Sequence, residues 1–228
     1  NPQWKAGIVY VDLFAGPGVC RIEETNKRLP GSPLIAAHAP KSFTRLLLCE
    51  YGEEEAAACE ARLRASPASD RFALFRGDCN VVVPQLAKEI PRKALTLAFV
   101  DPEGIDLDFR LLEALDDERR VDFLILFSDA IHAIRSADRM RGEYESRLDR
   151  MLGPDSRWRD EWEEIRSLDG PQKRARLRGL LCHQIERLLG YEGTRSIAIC
   201  GPRGPLYSLI YESKHERGLD LWDKSVGK

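Results

Sequence analysis

The sequence predicts an α/β fold: a doubly wound parallel sheet, an antiparallel hairpin that follows it, and a helical insertion between the two. Three observations carry this prediction. Five short apolar runs alternate with helical patterns from residue 8 to residue 127. The stretch 131–194 then reads as helix only. After it, two strand-like runs flank the turn sequence "GPRGP".

The first run, Ile8–Phe14, is apolar on both faces, as suits a strand covered by helices on both sides. The chain is not expected to enter a helix in "VCRIEETNKRLP". A helix follows it, with Ser32 as N-cap and Pro33 in its first position. The runs Thr44–Cys49, Phe72–Phe75, Ala94–Val100 and Val121–Phe127 supply four more strands. Between them "EEEAAACEARLRAS", "NVVVPQLAKEI" and "DFRLLEALDDE" suit helices, with Pro84 confining the second to a start or a kink. Right-handed crossovers then build the doubly wound layer. The helical stretch breaks only at "LGPDS" and "LDGPQK", so it is expected to be folded. "RSIAIC" and "LYSLIYES" form the hairpin, and "ERGLDLWDKSV" closes the chain as a short helix. This gives one α/β domain, 1–130 with 195–228, and a helical insertion, 131–194. Five parallel strands and a hairpin are the layout of the Rossmann-like class I methyltransferase fold, whereas a dinucleotide dehydrogenase more often continues in parallel.

Composition narrows the class. With 43% hydrophobic and 32% charged residues the chain is of ordinary globular type, and a net charge of −2 argues neither for nor against nucleic acid. Its six cysteines form no CxxC pair, which speaks against a zinc knuckle, and the four histidines show no ligand spacing, so no metal is expected. Cysteines inside apolar runs suggest buried thiols and a reducing, cytoplasmic setting. No apolar run approaches ~18 residues, so no membrane association is expected. The start "NPQWKAG" lacks the charged and apolar regions of a signal peptide.

The ligand-end residues carry the functional prediction. In open α/β sheets, ligands lie outside the carboxyl ends of the strands. Here four successive strands end at an acid: Asp12, Glu50, Asp78 and Asp101. A solvated turn or a helix cap explains any one of them, but not all four together. Acceptors suit S-adenosylmethionine, which presents a cationic amino group and sulfonium, two ribose hydroxyls and an adenine amine. Asp12 is expected near its amino-acid end, beside the loop of Phe14, Ala15, Gly16 and Gly18, whose glycines allow close backbone approach. Glu50 is expected on the ribose and Tyr51 against the adenine. Asp78 is expected on N6, with the Cys79 N–H on the ring. The dinucleotide alternative fails because G-x-G-x-x-G would need glycine where Arg21 stands, and because no helix begins there.

"YVDLFAGPG", "GSPLIAA", "GDCNVVV", "FVDPEG" and "LIYESKHERGLDLWDKS" together resemble the three-Cys-motif partner proteins, in order and over nearly the whole chain. The resemblance implies an adenosylmethionine-type fold and a neighbouring three-Cys-motif protein as partner, and it supplies no substrate. Members usually carry more chain before the first strand, so a trimmed N-terminus that removes part of a cofactor lid is expected.

"DPEG" resembles the motif of enzymes that methylate base amines, where an acid, two prolines and an aromatic follow the fourth strand. Asp101 and Pro102 match it, while Glu103 replaces the second proline and Gly104 the aromatic. Asp101, Pro102 and Glu103 are therefore the expected nucleophile-positioning residues, Glu103 as a base or orienting group. No Pro-Cys nucleophile of the cytosine-C5 type occurs. "KRARLR", at 173–178, suggests a phosphate-tracking run, although a solvated helix face is the plainer reading. Trp158 and Trp162 share a helix face and are expected in the core, with a stacking platform as the alternative. His132, after "FSDAI", reads most simply as a satisfied surface or core histidine. The sequence thus points to a methyltransferase acting on a nucleic acid, with an inactive cofactor- or partner-binding module as the alternative.

Overall fold

"IVYVD" forms β1 (Ile8–Asp12), every residue after Ile8 buried, as its two-faced apolar pattern requires. The computed structural model describes residues 6–23, 25–202 and 204–227. The contacts divide the chain into two compact units, 1–101 with 114–121 and 102–113 with 122–228.

In the first unit β1 is followed by β2 (Val19–Arg21), β3 (Arg28–Pro30), α1 (Ser32–Ala37), β4 (Arg45–Glu50), α2 (Glu53–Arg64), β5 (Phe72–Arg76), α3 (Cys79–Lys88) and β6 (Leu95–Val100). The strands order as β5-β4-β1-β6, all parallel, with Val11 opposite both Leu47 and Ala98. Because β1 lies between β4 and β6, the chain reverses its winding direction at the carboxyl ends of β1 and β6. Tyr10, Leu46 and Leu48 point to one face, against Ala36 and Ala37 of α1 and Cys59 and Leu63 of α2. By strand alternation Val9, Val11 and Leu47 point to the other, and all three are buried.

The segment after the glycine loop holds no helix, and β2 and β3 pair there as a small antiparallel ribbon, too short and too exposed to leave an alternating pattern. The N-cap of α1 is Gly31, and Ser32 is already helical. Pro84 sits inside α3, which continues through it to Lys88.

Helix α4 (Arg110–Asp116) and β7 (Arg120–Phe127) span the boundary between the units. The second unit continues with a π-helical turn (Asp129–Ala133) and α5 (Ile134–Met140), α6 (Arg147–Leu152), α7 (Trp158–Ile165) and α8 (Gly170–Leu189). It then forms β8 (Gly193–Gly201), β9 (Gly204–Ser213) and α9 (Glu216–Ser225). β9 pairs antiparallel with both β7 and β8, so the predicted hairpin is present. Arg203 in its turn and residues 1–5 of the expected trimmed N-terminus lie outside the described residues. α6 opens with a capping box in which Ser146 and Asp149 exchange hydrogen bonds. Trp158 and Trp162 are buried, with their indole N–H groups donating to Asp149 and Asp138 at 2.8 Å each. All six cysteines are free thiols, of which Cys20 and Cys200 are exposed. Among the described residues no helix is long and apolar enough to cross a membrane.

Candidate functional site

The loop after β1 is fixed by bonds that arrive from all around it. Asp12 is fully buried and accepts the Phe14 N–H at 3.3 Å, the Tyr10 hydroxyl at 3.1 Å and a hydrogen bond from the Ser32 side chain. Burial pushes its carboxyl up to about 6 against those three donors, and the Asp101 charge adds to the rise. The Ala15 N–H donates to the Cys49 carbonyl at 2.9 Å, and the Gly31 N–H to the Gly18 carbonyl at 2.8 Å. The Arg62 guanidinium donates to the Pro17 carbonyl. Gly16 and Gly18 have φ of +58° and +79°, in the region that favours glycine. A side chain built on Gly16 would meet nothing within 4 Å, so this bend of backbone faces open space. A side chain on Gly31 would instead meet the Gly18 backbone at 3.1–3.4 Å, so glycine is required where the two segments cross.

Glu50, at the end of β4, joins this loop to its own strand. Its Oε2 accepts the Gly16 N–H at 2.6 Å and its Oε1 the Gly52 N–H at 2.8 Å. Each oxygen has room for a further donor. Tyr51 is 78% exposed. Asp78 caps α3, its Oδ1 accepting from the Asn80 backbone at 2.8 Å and side chain at 2.9 Å, and Cys79 is buried as the first helical residue. Asp101 follows β6 directly. It is half-buried, and burial raises its carboxyl above the usual range.

The thiols among these residues register the field that the acids create. Cys49 is raised to about 12 by burial first, with Cys79, Glu50, Asp78 and Asp12 all adding to the rise. Cys59 reaches about 12 through burial with Asp12 and Glu50, opposed by Arg62. The strand ends of the first unit therefore form an acidic rim beside open backbone, which fits a cationic, hydroxyl-rich ligand such as S-adenosylmethionine.

In the second unit Pro102 is buried and Glu103 exposed. Gly104 has φ +77°, and a side chain built on it would come within 3.2 Å of the His132 ring. His132 is itself exposed, and its Nδ1 pairs with the buried Ser128 Oγ at 2.7 Å. The neighbouring Asp129 is fully buried and accepts the Ser208 hydroxyl at 2.6 Å, while Arg178 donates to that same Ser208 oxygen at 3.2 Å.

Most of the basic run is engaged locally. Lys173 lies over the Trp162 ring at 5.7 Å, and Arg176 pairs with Glu161 and Glu164. The Arg174 charge reaches Asp129, as does that of Arg178. Burial of both tryptophans removes the stacking-platform alternative. Among the described residues no group of three or more His, Cys, Asp and Glu side chains is placed to hold a metal.

Sequence reasoning did not find Ser32 on Asp12, Gly31 against Gly18 or Arg62 on Pro17. "GSP" was visible, but it reads locally as a helix start, and its second role lies across the fold.

No family model and no curated protein sequence matches the chain. Solved structures resemble it in fold. Cofactor-bound Rv0187 from MTB superposes with a TM-score of 0.51 at 13% identity, over 92% of this chain and 74% of that one. The O-methyltransferase from Bacillus cereus in complex with SAH gives 0.52 at 12%, over 93% and 76%. The O-methyltransferase TomG from Streptomyces achromogenes, in complex with SAM, gives 0.50 at 15%, over 93% and 76%. The chain has the Rossmann-like class I methyltransferase fold.

Proposed function

We propose that this protein is an S-adenosylmethionine-dependent methyltransferase that holds its cofactor at the carboxyl ends of β1, β4, β5 and β6. The observation that carries the reading is the loop of residues 14–18, tied down on every side, open at Gly16 and rimmed by Asp12, Glu50, Asp78 and Asp101. Asp12 acts by shaping the loop, since its carboxylate is buried. Phe14 and Ala15 form the wall of the loop, and Gly16 and Gly18 let backbone approach the amino-acid end. Glu50 offers its remaining lone pairs to the ribose hydroxyls. Tyr51 covers the adenine, and Asp78 with the Cys79 backbone binds its edge. S-adenosylmethionine supplies an electrophilic methyl carbon when bound, and no metal is needed to activate it.

The finer reading is a nucleic-acid acceptor, methylated at a base amine. It is supported by Asp101–Pro102 at the end of β6, with Asp101 and Glu103 holding the acceptor and Pro102 fixing the turn. The motifs shared with the three-Cys-motif partner proteins support a neighbouring three-Cys-motif protein as partner, and the expected setting is cytoplasmic. An inactive cofactor- or partner-binding module is the second reading, favoured by the exposed Glu103 and by glycine at position 104.

The test is thermal unfolding with S-adenosylhomocysteine, followed by tritiated methyl transfer into RNA, DNA and protein fractions. Ligand at ~100 times its dissociation constant adds about 2.7 kcal/mol, a rise of roughly 5–10 °C for a chain of this size. Glu50→Ala should abolish the rise, and Asp101→Ala should stop transfer. A folded wild type with no rise overturns the methyltransferase reading, and a rise without transfer to any fraction favours the binding module.

A further inference from the structure

We propose that the β2–β3 ribbon docks the phosphate backbone of the nucleic-acid acceptor, through Arg21, Arg28 and Lys27. The assignment rests on the nucleic-acid reading above and lies wholly within the first unit.

The ribbon is an arm without a core. β2 and β3 pair with each other as a separate two-stranded sheet. Of the described residues from Cys20 to Pro30, every one but Ile22 is exposed. The Ile22 N–H donates to the Lys27 carbonyl at 2.8 Å and closes the turn, in which Asn26 has φ +54°. A two-stranded pair of this size has little stability of its own. It is held at its base instead. There the Gly31 N–H donates to the Gly18 carbonyl at 2.8 Å, and the two backbones lie too close for a side chain on Gly31. The arm therefore starts from the glycine that ends the proposed cofactor loop.

The charges on the arm oppose its own pairing. The antiparallel register sets Cys20 opposite Leu29 and Arg21 opposite Arg28. Directly opposed residues share a face, so the two arginines leave the ribbon on the same side. Like charges placed this way repel. Lys27 is the next residue toward the turn. Among the described residues, the ion pairs of this unit are made by Arg45, Arg64, Arg71, Arg76, Arg92 and Arg119, and by none of the ribbon's three cations. The acids of the segment are Glu23, exposed in the turn, and Glu24, which lies outside the described residues.

An anion that accepts from both arginines relieves this repulsion. A phosphodiester does so with the geometry that a guanidinium fork matches best. A two-stranded ribbon is also a shape that the major groove of duplex DNA admits. Contacts of this kind fix the position and register of the strand and read no sequence. The basic run of α8 is a poorer candidate. There Arg176 is paired with Glu161 and Glu164, and Lys173 lies over the Trp162 ring.

The experiment uses the full chain and measures fluorescence anisotropy with labelled single-stranded RNA, single-stranded DNA and duplex DNA over a range of salt. The proteins are wild type, Arg21→Gln with Arg28→Gln, Arg21→Lys with Arg28→Lys, and Lys88→Gln with Lys93→Gln. The last pair removes the same charge from two exposed positions elsewhere in the unit. The double glutamine variant should bind about tenfold more weakly at low salt. Its slope of log affinity against log salt should flatten by about 1.4 on a single strand or about 1.8 on a duplex. The double lysine variant should keep the wild-type slope, and the Lys88 and Lys93 variant should match wild type. Binding of S-adenosylhomocysteine, measured by calorimetry, should agree within about twofold across all four proteins. The nucleic acid whose binding depends on the arginines identifies the acceptor as RNA or DNA. A double glutamine variant that keeps wild-type affinity and slope overturns the docking role alone. So does an equal loss in the Lys88 and Lys93 variant, or loss of S-adenosylhomocysteine binding in the glutamine variant. Wild type that binds S-adenosylhomocysteine and none of the three nucleic acids overturns the nucleic-acid reading and the docking role with it.

Discussion

The loop after β1 and the helical segment around α6 each depend on one carboxylate, and the two are held in opposite ways. Asp12 is surrounded by uncharged donors, a tyrosine hydroxyl, a serine hydroxyl and a backbone amide, and burial pushes it up to about 6. At Asp149 burial also pushes upward, but Arg159, the Trp158 indole and Ser146 outweigh it and hold the carboxyl at about 2. The difference separates two uses of an acid. Asp149 is a structural anion, paired with a guanidinium that cancels its charge. Asp12 is held by uncharged donors, and at this position burial outweighs them.

The comparison breaks most sharply at Asp149. Asp149→Ala removes the capping box and leaves the buried Trp158 N–H without its acceptor, a cost of about 4 kcal/mol, or roughly 8–16 °C in melting temperature. Affinity of the folded protein for S-adenosylhomocysteine should be unchanged. Wild type should also lose the Asp149 contribution as pH falls from about 3.8 through about 2.

Asp12 should give the reverse pH dependence. Its folded-state value lies above its ordinary 3.8, so its contribution is complete below about 3.8 and is lost as pH rises through about 6. Denaturant unfolding of wild type and Asp12→Asn across that window should show wild type falling behind by about 3 kcal/mol at its upper end. A flat difference would mean that burial does not raise Asp12 above its ordinary value. The smallest effect is expected from Gly31→Ala. Pressing a methyl on the Gly18 backbone should cost about 1–2 kcal/mol and weaken S-adenosylhomocysteine binding, since the contact props up the cofactor loop.

The same contrast explains what was legible in the sequence. "VYVDLFAGPG" announces itself because backbone geometry is local: a two-faced strand, then glycines at positive φ. The strands and the hairpin follow from runs that any reader of periodicity can mark. What joins Asp149 to Arg159, or Trp162 to Asp138, is side-chain pairing across separate helices, and no spacing encodes it. Ser32 fell between the two cases, since its helical position is local but its bond to Asp12 is not. His132 reads in the sequence as a satisfied histidine, and its partner Ser128 and its place beside Gly104 have no sequence signature.

The thiols have a practical consequence. Cys49, Cys59, Cys79 and Cys182 are all raised to about 12 by burial first, whereas Cys20 on β2 and Cys200 on β8 are exposed. Thiolate is the species that alkylates. A maleimide dye at neutral pH should therefore couple at two positions and spare four, with no cysteine added or removed. A native donor–acceptor pair would follow, able to report by energy transfer whether a cofactor analogue changes the distance between the β2–β3 ribbon and the edge strand β8.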